Sequence, residues 1–183
     1  MKRLFNWASL CLLFFFTATH AQQAVKPASE VLKEACRQAG KEKKNVIIIF
    51  HASWCHWCHE MDARMNQKEC KPLFDKSYVV RHLVVQEADD KKHLENPGAA
   101  EMMKQFNGDR QGIPYWLVFD KNGKLLADSQ ERPEGASLSE KGSNIGCPGT
   151  PQEIAYFTKV LKQTSALNDT ELALIGRLFA NKQ

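Results

Sequence analysis

The chain has 183 residues, with 25 Lys and Arg against 21 Asp and Glu, a formal charge of +4 and 43% hydrophobic residues. The charges are interspersed and include no basic stripe with interleaved aromatics, which argues against a nucleic-acid binder. Lys41-Glu42-Lys43-Lys44 and Lys91-Lys92-His93 read as solvated element ends.

Lys2 and Arg3 precede a short apolar stretch from Leu10 to Phe16, and Ala18-Thr19-His20-Ala21 supplies small residues for cleavage. This is the pattern of an export signal over residues 1–21, with cleavage near Ala21. The apolar run is shorter than the roughly 20 residues needed to span a bilayer. Bulky Leu10 before Cys11 argues against a lipid-anchored cysteine. The expected mature chain, 22–183, is a single domain of about 160 residues, large enough for its own core. An exported chain enters an oxidising compartment, the periplasm or the extracellular space, where cysteines pair or do redox work. Five cysteines remain there: Cys36, Cys55, Cys58, Cys70 and Cys147. The odd number leaves at least one thiol unpaired in a monomer, which is the expected state; a Cys70–Cys147 disulfide and free thiols are both open.

In chain order, Val31, Leu32, Ala35, Cys36 and Ala39 recur at helical spacing and predict a helix over 29–40, with Cys36 on its apolar face. The uninterrupted, β-branched run over 45–50 predicts a strand buried on both faces. A helix follows from the Cys55 region towards Gln67, with Met61 and Met65 four apart on a core-facing side. Residues 78–85 read as a strand and 97–106 as a helix, with Pro97 near its first turn and Gly108 beyond its end. Tyr115-Trp116-Leu117-Val118-Phe119 is a strand, Asn122-Gly123 a hairpin turn and 125–128 the returning strand. Residues 129–150 are rich in Gly, Ser, Pro and Glu and read as a surface insert loop. Two helices finish the chain, 151–163 and 169–181, the latter capped by Asp169. Strands alternating with helices and closed by a hairpin imply an α/β fold with a mixed sheet covered on both faces.

Trp54-Cys55-His56-Trp57-Cys58 sits at the junction of the first strand and the following helix. A helix N-terminus carries unpaired N–H groups and partial positive charge, which favour a thiolate, the species that attacks disulfides. Cys55, nearest that terminus and at the exposed first position, is the expected nucleophile; Cys58, one turn later and more buried, is expected to resolve the mixed disulfide. Trp54 shields the pair and shapes a docking surface, Trp57 adds bulk that restricts partners, and a protonated His56 would make the pair more oxidising. The continuation to His59 also matches the C-x-x-C-H pattern of c-type haem attachment.

Three linked features separate these readings: strand–Ala52-Ser53-Trp54-Cys55-His56-Trp57-Cys58–helix, Gly112-Ile113-Pro114 leading directly into a strand, and the Asn122-Gly123 hairpin after it. In this order they resemble the thioredoxin superfamily, in particular its exported members with a Cys-x-Trp-Cys motif. The resemblance covers roughly 29–129, and the helix at Pro151 is similar to the family's last helix. It implies a thioredoxin-like fold with about four to five strands, the helix at 169–181 being an addition. It also implies a Cys55–Cys58 redox disulfide and a cis Pro114 that faces it and exposes the Ile113 backbone to a substrate strand. One departure is visible: the buried acid that the family carries on the strand before the motif corresponds here to Ile49, leaving Glu60, Asp62 or water to assist Cys58.

The expected function is that of an exported thiol–disulfide oxidoreductase acting on protein dithiols and disulfides, without cofactor, metal or nucleic acid. A membrane thiol–disulfide relay is a candidate electron donor or acceptor. The alternatives are a c-type haem protein using Cys55, Cys58 and His59, with Met102 or Met103 opposite, and a non-catalytic thioredoxin-like binding module, such as a metal carrier. No second C-x-x-C stands at zinc spacing.

Overall fold

The computed structural model describes residues 24–180, so the expected leader lies outside the described residues. Helix α1 (Ala28–Glu42) turns Ala28, Ala35, Cys36 and Ala39 inward, and ends where Lys43 takes a left-handed conformation at φ 56°. The chain then enters β1 (Asn45–His51), whose residues Val46 to Phe50 are all buried. After the motif come α2 (His56–Met65), α3 (Lys71–Ser77), β2 (Tyr78–Val84), a 3₁₀ turn (Asp89–Leu94) and α4 (Ala99–Gln105). Strands β3 (Tyr115–Phe119) and β4 (Leu125–Asp128) follow, then the short β5 (Gln130–Glu131) and β6 (Ser143–Asn144), and finally α5 (Pro151–Thr164) and α6 (Asp169–Ala180).

The main sheet has the order β2-β1-β3-β4. β1 runs parallel to β2, Ile49 facing His82, and antiparallel to β3, Ile49 facing Trp116. The sheet is therefore mixed, with β1 inside it. Alternation along β1 then divides the core. Ile47 and Ile49 join Met61, Met65, Trp116, Val118, Phe157 and Phe179 on the side covered by α2, α3, α5 and α6. Val46, Ile48 and Phe50 join Ala35, Cys36, Leu83, Leu117, Phe119 and Met103 on the side covered by α1 and α4. Each such aliphatic or aromatic side chain withdrawn from water contributes about 1.5–3 kcal/mol before chain entropy opposes it. This is a thioredoxin-like α/β fold with a C-terminal helix added to it.

Three details differ from the sequence expectation. Helix α3 was not anticipated: it is short, carries Pro72 in its first turn, and is held by Phe74, which packs against Tyr78 and Phe157. The segment after β4 is no loose surface loop, because Asp128, Ser129 and Gln130 are fully buried and β5 pairs with β6 through Gln130 and Asn144. Arg132 donates to both carboxylate oxygens of Asp128 at 2.7 Å, and Gln130 donates to the Tyr115 hydroxyl at 2.6 Å. Asn168, not Asp169, caps α6: its side chain accepts from the Glu171 amide at 3.0 Å while Glu171 accepts from the Asn168 amide at 2.9 Å. Thr150 and Glu153 form the same reciprocal cap on α5.

Candidate active site

The first strand delivers the chain to the motif. Beyond His51, Ala52 is fully buried, and the Cys55 amide donates to its carbonyl at 3.1 Å, closing a tight turn. Cys55 is the N-cap of α2, in an extended conformation, and its Sγ accepts the Cys58 amide at 3.2 Å. Cys55 and Cys58 are joined as a disulfide. On reduction the same amide, with the helix dipole behind it, is placed to stabilise a Cys55 thiolate. Cys36, Cys70 and Cys147 are unbridged.

The expected contrast in exposure between the two cysteines is absent in this oxidised form: Cys55 is 3% and Cys58 2% exposed. The reason is local. Both sulfurs pack with Ala52 and Ile113 in a small apolar cluster. Cys55 Sγ lies 3.6 Å from the Ile113 carbonyl oxygen, and the Ile113–Pro114 peptide bond is cis. A disulfide sulfur has no proton to donate, so this is contact; a reduced thiol can donate there. Trp54 and Trp57, 58% and 57% exposed, flank the buried sulfurs. Trp54 is therefore not a core aromatic. Its Nε1 donates to the Gln86 carbonyl at 2.8 Å, where Gln86 is left-handed at φ 56°. The exposed His56 packs edge-on against Trp57 at 5.3 Å.

His59 is exposed, and its Nε2 donates to the Ser53 carbonyl at 3.0 Å. That hydrogen bond ties His59 to the turn before the motif. Ile49, at the position of the missing acid, is buried in apolar surroundings. The two neighbouring acids are engaged elsewhere. Glu60 pairs with Arg64 at 3.5 Å, and Asp62 accepts from His82 at 2.7 Å. Burial opposes ionisation of Asp62, but the His82 hydrogen bond and charge outweigh it and hold the carboxyl below its usual range. Burial, reinforced by the neighbouring His82, lowers the pKa of His51.

Two positions with no sequence signal support the site. Glu87, buried beyond the end of β2, accepts from the Ser53 amide at 2.6 Å and the Ser53 hydroxyl at 2.8 Å. Arg64, buried on α2, donates to the carbonyls of Pro148 and Phe179, both at 2.8 Å, tying the motif helix to the segment before α5 and to α6. Beside the disulfide a cavity of about 850 Å³ opens between Trp57, Pro114, Asn144, Cys147 and Glu153. Burial pushes the Cys147 thiol up to about 11, opposed by Arg64.

A family model described as thioredoxin-like matches residues 28–121. No curated protein matches the chain. Among solved structures it is similar to a disulphide isomerase from Xylella fastidiosa Temecula1, at 22% identity over 64% of this chain and 80% of that one, with a TM-score of 0.45. It is also similar to the oxidised C-terminal domain of DsbD from Neisseria meningitidis, at 19% identity over 77% and 99% of the two chains, with a TM-score of 0.42. The family match runs from α1 to the turn after β3, the frame that carries both the disulfide and Pro114, and the chain belongs to the thioredoxin-like family.

Proposed function

We propose that the protein is an exported thiol–disulfide oxidoreductase of protein substrates. The observation that carries this is the Cys55–Cys58 disulfide at the N-terminus of α2, flanked by exposed Trp54 and Trp57. In the reducing direction the Cys55 thiolate attacks a substrate disulfide, forming a Cys55–substrate bond and releasing one substrate thiolate. The Cys58 thiolate then attacks Cys55 Sγ, closing the Cys55–Cys58 disulfide and releasing the second substrate thiolate. Two electrons pass from the dithiol to the substrate, and the reverse sequence oxidises a substrate dithiol.

Trp54, Trp57, Ile113 and Pro114 form the docking rim in this reading, and His56 tunes the pair. Residues 22–183 act as one unit once the leader is removed. A membrane thiol–disulfide relay is the proposed source or sink of electrons. The direction follows from the reduction potential of the Cys55/Cys58 pair, with about −270 mV marking a reductase and about −120 mV an oxidant. The mechanism is tested by Cys58→Ser: without its resolving thiol, Cys55 should hold a stable mixed disulfide with an added disulfide substrate, visible as a mass adduct that dithiothreitol removes. A Cys58→Ser protein that forms no adduct through Cys55 would rule the mechanism out.

A further inference from the structure

The geometry points to Asn144 as a positioning residue that sets the substrate-docking edge of the redox site from outside the family-matched frame. This rests on the proposed disulfide exchange with protein substrates. Asn144 belongs to β6, whereas the family match ends at residue 121. Its side-chain amide donates to the carbonyls of Gln111 and Pro114, each at 3.1 Å, with the Gly112 carbonyl at 3.4 Å. One side chain thus spans both ends of the turn that contains Ile113, the residue whose carbonyl touches Cys55 Sγ.

Asn144 is itself held from both sides. Its Oδ1 accepts the Gly146 amide at 3.1 Å, and it pairs across the ribbon with the fully buried Gln130. The next residue, Ile145, donates its amide to the Ser129 carbonyl at 2.8 Å, and Trp116 donates its indole N–H to the Gly146 carbonyl at 3.0 Å. The anchor for the 111–114 turn is therefore fixed to the sheet. A left-handed Gly112 at φ 77° gives that turn backbone freedom that the carbonyl contacts remove. In the proposed exchange a protein substrate lays its backbone along the Ile113 edge, whose carbonyl oxygen is 3.6 Å from Cys55 Sγ, so a displaced edge weakens attack on a polypeptide. A small disulfide with no peptide strand needs no such edge. Asn144 accordingly selects for extended polypeptide disulfides over small ones.

The test uses the full mature chain, pre-reduced, mixed with rising concentrations of insulin or of 2-hydroxyethyl disulfide, and followed by tryptophan fluorescence. Asn144→Asp keeps the side-chain shape and removes the donors; Asn144→Ala removes the side chain. Both should raise the half-saturating insulin concentration about tenfold, with the limiting rate changed far less. The ratio of insulin to 2-hydroxyethyl disulfide reactivity should fall by the same factor, with the reduction potential of the pair unchanged. Unaltered insulin saturation in both variants, or equal losses with both substrates, would overturn the inference. A wild-type protein that exchanges with 2-hydroxyethyl disulfide but not with insulin would overturn both the inference and the protein-substrate reading, whereas normal wild-type exchange with unaltered variants would overturn the inference alone.

Discussion

Glu87 grips Ser53 twice, accepting from its amide at 2.6 Å and its hydroxyl at 2.8 Å, two residues before Cys55, the proposed nucleophile. Trp54 is fastened to the adjoining Gln86 carbonyl, so the segment after β2 fixes the backbone that aims Cys55. The Ser53 amide hydrogen bond is the main cause that lowers the Glu87 pKa below its ordinary 4.5, with burial opposing it.

A depressed carboxylate pKa contributes stability above the unfolded-state value and loses it as pH falls through the folded-state value. The Glu87 contribution should therefore be complete at neutral pH, begin to fall near the ordinary value of 4.5 and vanish below the lowered folded-state value. Urea unfolding of the wild type and Glu87→Gln across pH 3–7 checks this: the variant should be less stable at neutral pH, and the gap should close in acid. A gap constant across the range would show that the charge is not what anchors Ser53.

Burial pushes the Cys70 thiol up to about 12 and the Cys147 thiol up to about 11, and raises that of Cys36. At pH 8 these are almost wholly protonated, whereas a Cys55 thiolate is favoured by the Cys58 amide and the helix terminus. Brief treatment of the reduced protein with iodoacetamide should label Cys55 well ahead of Cys147, and leave Cys70 unlabelled until unfolding. Peptide mass mapping reads the order, and equal labelling of Cys147 and Cys55 would contradict it.

Phe157 of α5 is 2% exposed, and its ring meets Phe74, Trp116 and Phe179 at centroid distances of 6.3, 5.5 and 5.0 Å. It joins the C-terminal helices to the sheet face behind α2. Phe157→Ala should cost about 3–5 kcal/mol of unfolding free energy, because it removes the transfer gain and leaves a cavity between three large rings. Chemical denaturation measures this; a cost below about 1 kcal/mol would mean that the site collapses freely.

The parts of the fold legible in the sequence were those written in local pattern. Val46 to Phe50 is an unbroken β-branched and aromatic run, Asn122-Gly123 has turn chemistry, and Met61 with Met65 has helical spacing; all take the structural places expected of them. Helix α3 was hidden because Phe74 is held by Tyr78 and Phe157 rather than by a long periodic face. The β5–β6 ribbon was hidden because each strand has two residues and its order comes from buried Asp128, Ser129 and Gln130. At the site, the cysteine pair could be read directly from its spacing and its place after a strand, and Ile113-Pro114 only through the family resemblance. Glu87, Arg64 and Asn144 could not, since each acts through partners 30 or more residues away, and their residue types carry no signal of it.

The central claim is that Cys55 is the nucleophile of a disulfide-exchange centre. The most direct measurement is insulin disulfide reduction by the mature protein, with dithiothreitol as electron source, compared between wild type and Cys55→Ser. The wild type is expected to accelerate reduction above the dithiothreitol background, and Cys55→Ser to return it to that background. Acceleration by Cys55→Ser equal to that of the wild type would contradict the account.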